Sequence, residues 1–142
     1  MYKKILVALE NSPADRSLVP HVQGLAILAH SELLLLHVAD GWAARNFENL
    51  KLAESEEMKK DRAYLEQMAE VFRAAGLKAC FHLAMGDPAT QILKTAEREH
   101  CDLIAMTSHG HKLIGDLMFG STIHKVRHET KLPVLLVKEL KP

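Results

Sequence analysis

The chain has 142 residues, 48% of them hydrophobic, which suits a single domain (1–142) with a core of its own. Eighteen basic residues balance eighteen acidic ones without blocks of like charge, so a dedicated nucleic-acid face is not expected. No apolar run is long enough to span a bilayer, no secretory leader is read, and two cysteines are too few for a disulfide scaffold. The expectation is a soluble, reduced, cytoplasmic protein.

Lys3 to Leu9 (KKILVAL) reads as a strand buried on both faces, the pattern of a parallel sheet's interior. Ser12-Pro13 then predicts a helix start, with serine as cap and proline first inside. Val22, Leu25, Ala26 and Ala29 give that helix its buried face, and Pro20 predicts a kink or a loose first turn. A second buried strand follows at Glu32 to Val38, then a loop over 39–49 opening with Asp40-Gly41 and Trp42. Met58, Leu65, Met68, Phe72 and Ala75 mark one face of a long helix that Gly76 stops.

Leu77 to Ala84 alternates, with Ala79, Phe81 and Leu83 on one side, as expected of an edge strand. Asp87 caps the next helix, with Pro88 as its first residue and Ile92, Leu93 and Ala96 turned inward. Leu103 to Met106 is a short fourth strand, followed by a helix running toward His128. The last strand is Leu132 to Val137, and Pro133 confines it to an edge. Strands alternating with helices predict an α/β fold with a parallel sheet and right-handed crossovers. Periodicity leaves the strand order open.

The chemistry concentrates between Asp102 and His124. The fourth strand breaks at Thr107-Ser108-His109-Gly110, and Gly120-Ser121-Thr122 follows Gly110 after nine intervening residues at what reads as a helix start. Glycine turns beside a strand and a helix start offer free backbone N–H groups to phosphate oxygens, and a missing side chain lets the phosphate approach. His109 and His111 flank Gly110 and add a donor or a charge, or are simply exposed loop histidines. Neither the GxxxxGK[ST] loop nor GxGxxG is present. The nine histidines show no HExxH or paired-ligand pattern, so no metal site is read.

The spacing G-x2-G-x9-G-[ST] is the nucleotide-binding signature of the universal stress protein family, and this segment resembles it. Thr107, Gly110, Gly120 and Ser121 occupy the four marked positions, with Thr107 where a glycine is usual. The likeness extends from Lys3 to Val137. It implies a five-stranded parallel sheet in the order 3-2-1-4-5 with helices on both faces, of the adenine nucleotide alpha-hydrolase-like class. The resulting switch point lies between Leu9-Glu10 and Met106-Thr107. The resemblance further implies adenine contacts along Ala8, Leu9, Glu10 and Val38, with Glu10 in place of the usual aspartate. Phosphates would meet Gly110, Gly120, Ser121 and Thr122. The implied ligand is ATP or AMP, with Mg2+ possible beside ATP, in a regulatory stress protein. The competing readings are a slow ATPase or nucleotidyl-transfer enzyme, and a dimeric interaction scaffold without nucleotide. Asp40 and Asp116 are possible metal carboxylates that nothing distinguishes from ordinary loop acids, and no HxGH or SGGxDS signature is present. No catalytic residue is assigned, and the protein partner stays open. A homodimer through the apolar strand 132–137 is expected both from that exposed edge and from the family.

Overall fold

The apolar runs of the sequence become the strands of one parallel sheet in a computed structural model that describes residues 1–39, 51–109 and 117–140, with backbone alone at 51–55 and 117–119. The strands are β1 (Lys4–Ala8), β2 (Glu32–Ala39), β3 (Ala79–Met85), β4 (Leu103–Ser108) and β5 (Val134–Lys138). Between them run α1 (Asp15–Ala29), α2 (Lys51–Ala74), α3 (Pro88–Arg98) and α4 (Leu117–Glu129). The sheet order is β3-β2-β1-β4-β5, all pairs parallel, as the resemblance implied.

Alternation along each strand sends side chains to two cores. Ile5, Val7, Leu33, Leu35 and Ala105 pack with Leu18 and Val22 of α1 and Leu65 and Phe72 of α2. Leu6, Leu34, Leu36, Ile104 and Met106 pack with Ile92 of α3 and Val126 of α4 on the other face. Each fully buried Leu or Ile stabilises the fold by roughly 1.5–3 kcal/mol relative to exposure. The central strands are therefore fixed from both sides, and their ends make a rigid platform.

Helix ends follow local chemistry. Asp87 caps α3 by accepting from Thr90 N at 2.9 Å and from the Thr90 hydroxyl at 2.7 Å, and Pro88 opens the helix as expected. Gly76, at φ +87°, closes α2 in a Schellman motif: Leu77 N–H bonds Phe72 C=O, and Gly76 N–H bonds Arg73 C=O.

The start of α1 differs from expectation. The α-helix begins at Asp15, after a tight turn in which Asp15, Arg16 and Ser17 N–H bond the carbonyls three residues back. Ser12 still accepts from Ala14 N–H at 3.3 Å, but Pro13 lies ahead of the helix. Pro20 is exposed inside α1, which continues through it from Asp15 to Ala29. β4 also runs two residues past Met106, and β5 begins after Pro133, whose carbonyl accepts from Ile104 N–H.

Candidate functional site

β1 is the central strand, with β2 on one side and β4 on the other. α1 leaves β1 toward one core and α4 leaves β4 toward the opposite one. The carboxyl ends of β1 and β4 therefore flank a crevice from which the chain departs in both directions, the usual ligand position in such sheets.

The turn after β1 is held by side chains from three elements. Leu9 N–H bonds Leu36 C=O at 2.8 Å, and Leu9 C=O accepts from His37 Nδ1 at 2.9 Å. Asp15, 3% exposed, accepts from Glu10 N–H at 3.0 Å and Asn11 N–H at 2.9 Å, while the Tyr64 hydroxyl donates to it. Burial first, then the Asp15 carboxylate, pushes the Tyr64 phenol well above its usual range. Asn11, in the left-handed region at φ 57°, donates to Asp61 Oδ1 at 3.0 Å, and His37 Nε2 lies 3.5 Å from the same oxygen. This network fixes the backbone at Leu9–Asn11 before any ligand arrives.

Across the crevice, His109 follows β4. Its Nε2 sits 2.9 and 2.8 Å from the two carboxylate oxygens of Glu10, and its Nδ1 lies 3.5 Å from Glu139 Oε2. All three side chains are about nine-tenths buried. Burial raises the Glu10 carboxyl above its ordinary value, and His109 opposes that shift. Glu139 reaches His109 because the chain after β5 folds back: Glu139 N–H bonds Ser108 C=O and Leu140 N–H bonds the Ser17 hydroxyl. His109 is therefore an internal bridge and not an exposed loop histidine. Glu10, expected to face a ribose, is engaged by His109 and by the Ser12 hydroxyl at 3.3 Å.

Val38 presents backbone to the crevice. In a parallel strand, alternate residues turn N–H and C=O to opposite neighbours. Leu36 C=O accepts from Leu9 of the β1 side and Ala39 C=O accepts from Gly86 of the β3 side. Val38 thus faces the β1 side, two residues beyond the last β1–β2 pair, Ala8 with Leu36. On β4, Thr107 is 2% exposed and its hydroxyl has no hydrogen-bond partner among the described residues. Ala8 and Met106 stand at the same strand ends, Met106 with its side chain in the α3/α4 core.

Gly120 and Ser121 are exposed and Thr122 is buried. Gly120 is the fourth residue of α4, so the Gly-Ser pair lies inside the helix rather than at its start. A Cβ built on Gly120 meets nothing within 4 Å among the described residues, and its φ is not positive. Neither packing nor backbone conformation requires glycine there. Gly110, His111, Asp40 and Asp116, with the expected loop over 40–49, lie outside the described residues.

Asp15, His37, Asp61, Tyr64 and Glu139 were not singled out by the sequence. Only Asp15 had a local signal, as an acid in the first turn of a helix that follows a strand end. The others reach the site through tertiary contacts.

A sequence model of the Universal stress protein family matches residues 1–138. Universal stress protein MJ0577 of Methanocaldococcus jannaschii is 32% identical, over 97% of this chain and 96% of its own length. The solved structure of MJ0577 superposes with a TM-score of 0.83 at 29% identity, covering 100% of this chain and 99% of that one. A universal stress protein in complex with cAMP shares the fold at TM-score 0.74 and 18% identity, over 98% of each chain. One from Archaeoglobus fulgidus in complex with dAMP does so at 0.67 and 19%, over 96% of this chain and 98% of that one. By the family match and the MJ0577 likeness together, this chain belongs to the universal stress protein family.

Proposed function

We propose that the crevice between β1 and β4 binds an adenine nucleotide, ATP or AMP, and that the protein acts as a nucleotide-linked regulator in a stress response rather than as a fast enzyme. The observation that carries the reading is Val38. Its N–H and C=O face the crevice where β1 has ended, a donor and an acceptor side by side. That pair complements an adenine edge, whose ring nitrogen accepts and whose exocyclic amine donates.

Other features agree. The Thr107 hydroxyl is a buried polar group with no hydrogen-bond partner among the described residues, at the position where the motif has its first glycine. Gly120 leaves open space on α4 for which the fold itself has no need, and a helical glycine costs roughly 1 kcal/mol relative to alanine. Gly110, Ser121 and Thr122 complete the phosphate side in this reading. A ribose hydroxyl competes with His109 for Glu10, so binding loosens the bridge across the mouth. The cAMP and dAMP complexes show that relatives with this fold hold adenine nucleotides. Mg2+ would accompany ATP on its phosphates. Two copies of the chain pair through β5, and the free thiols Cys80 and Cys101 suit the reducing cytoplasm. Among the described residues, no helix is long and apolar enough to cross a membrane.

Gly120→Val tests the site. Its Cβ has open space, so the protein should fold, while ATP and AMP affinity should fall more than about tenfold, or roughly 1.4 kcal/mol. Calorimetry giving unchanged affinity in the folded variant would remove the phosphates from α4.

A further inference from the structure

We propose that His124 and His128 form a two-imidazole site on α4 for a borderline divalent transition ion, Cu2+, Ni2+ or Zn2+. The two histidines stand four apart on one helix and both are exposed. Residues at that spacing lie one above the other on the same face. Their rings already stack, with centroids 5.6 Å apart and planes inclined by 16°. Modest side-chain rotation turns one nitrogen of each ring toward a common point. Imidazole suits these three ions, and helices that bind zinc use the same H-x3-H spacing. Water fills the remaining coordination positions.

The charges around the pair permit a cation. Lys125, the nearest cation between the two in sequence, is drawn away toward α3, its ammonium 3.0 Å from the Thr90 hydroxyl and 3.4 Å from Asp87. Arg127 is exposed beside the pair and opposes binding, whereas Glu129 follows His128 and favours it. His128 also lies in the last turn of α4, where unpaired carbonyls give the helix end a partial negative charge.

Both ligands come from consecutive turns, so the ion binds only the helical form and stabilises α4 by mass action. Gly120 stands four residues before His124 and Ser121 beside it, placing the ion on the helix that carries the phosphate residues of the proposed nucleotide site. The metal site itself does not depend on that reading.

Titration of the nucleotide-free protein with Ni2+ or Cu2+ alone, followed by calorimetry, should show one ion per chain. Bound Cu2+ should give an electron paramagnetic resonance spectrum with two nitrogen ligands. Tethering two ligands on one scaffold raises affinity by roughly a hundredfold or more, so His124→Ala and His128→Ala should each lose about that factor. The exposed His21→Ala should lose nothing. Thermal unfolding should shift upward with Ni2+ in the wild type and not in either variant. Circular dichroism checks that α4 persists, and exposure of both side chains makes that the expected result. Equal affinity in wild type and His124→Ala, one ion per two chains, or a one-nitrogen spectrum would each overturn the site.

Discussion

Thr107 places a hydroxyl in the core with no partner among the described residues, at a strand end where the family motif has glycine. An unmet buried polar group costs roughly 1–3 kcal/mol, and an apolar group of the same shape removes that cost. Thr107→Val should therefore leave the nucleotide-free protein equally stable or stabilise it by up to about 1 kcal/mol in urea unfolding. The same substitution should weaken nucleotide binding by calorimetry, because the hydroxyl's only use is then toward the ligand. A variant that loses more than about 1 kcal/mol without nucleotide would mean that the hydroxyl is already bonded in solution. Residues of this kind show where the sequence stopped being informative. Glu10 and His109 could be picked out singly, but they are ninety-nine residues apart, and their meeting depends on β1 and β4 being neighbours. Glu139 carried no local signal, because nothing in the sequence beside it says that the residue after β5 reaches the crevice.

Elements were legible where a local device sets them. Asp87-Pro88 predicted the start of α3 to the residue, and the structure supplies the bonds that make the cap. Asp87→Ala should cost about 1 kcal/mol at neutral pH. The Asp87 carboxyl is held below its ordinary value of 3.8, first by the Thr90 hydroxyl and then by Thr90 N–H. A depressed carboxyl contributes stability above the unfolded value that is lost as pH falls through the folded one. Wild type and Asp87→Ala should thus converge in urea unfolding as pH drops below 3.8, whereas Asp87→Asn should keep its capping at both ends of the range. A gap between wild type and Asp87→Ala that stays constant down to pH 2, about two units lower, would assign the stability to something other than the ionised cap. The continuous apolar runs likewise became the inner strands β1, β2 and β4, since burial on both faces leaves a continuous signature, and the alternating run at Leu77 to Ala84 became the edge strand β3. The start of α1 was misplaced for a tertiary reason. Asp15 spends its carboxylate on the N–H groups of Glu10 and Asn11, so the turn tightens around it and the helix begins three residues after Ser12.

At the scale of the molecule, β5 is the edge that invites a second copy. Its side chains are only half covered: Leu135 and Val137 pack on the α1/α2 core, while Leu136 is 36% exposed. The described residues after it, Glu139 and Leu140, bond Ser108 and Ser17 on the β4 and α1 side and not the outer edge. Hydrogen bonding also tells which backbone groups are spare. Pro133 C=O accepts from β4 and Glu139 N–H donates to it, so residues 133, 135, 137 and 139 face β4. Val134, Leu136 and Lys138 then turn N–H and C=O outward. Three outward residues centred on Leu136 can pair antiparallel with the same three of another copy, Val134 against Lys138 and Leu136 against itself. A twofold axis through Leu136 closes that contact and leaves no free edge. We therefore expect a homodimer in solution, and the alternation selects the variant that tests it. Leu136→Pro removes an outward N–H and leaves the β4–β5 ladder untouched, whereas proline at Leu135 would break the ladder itself. Light scattering should give a dimer for the wild type and a monomer for Leu136→Pro, with circular dichroism showing the sheet intact. A wild type that is monomeric at micromolar concentration, or a Leu136→Pro protein that remains dimeric, would move any interface away from β5.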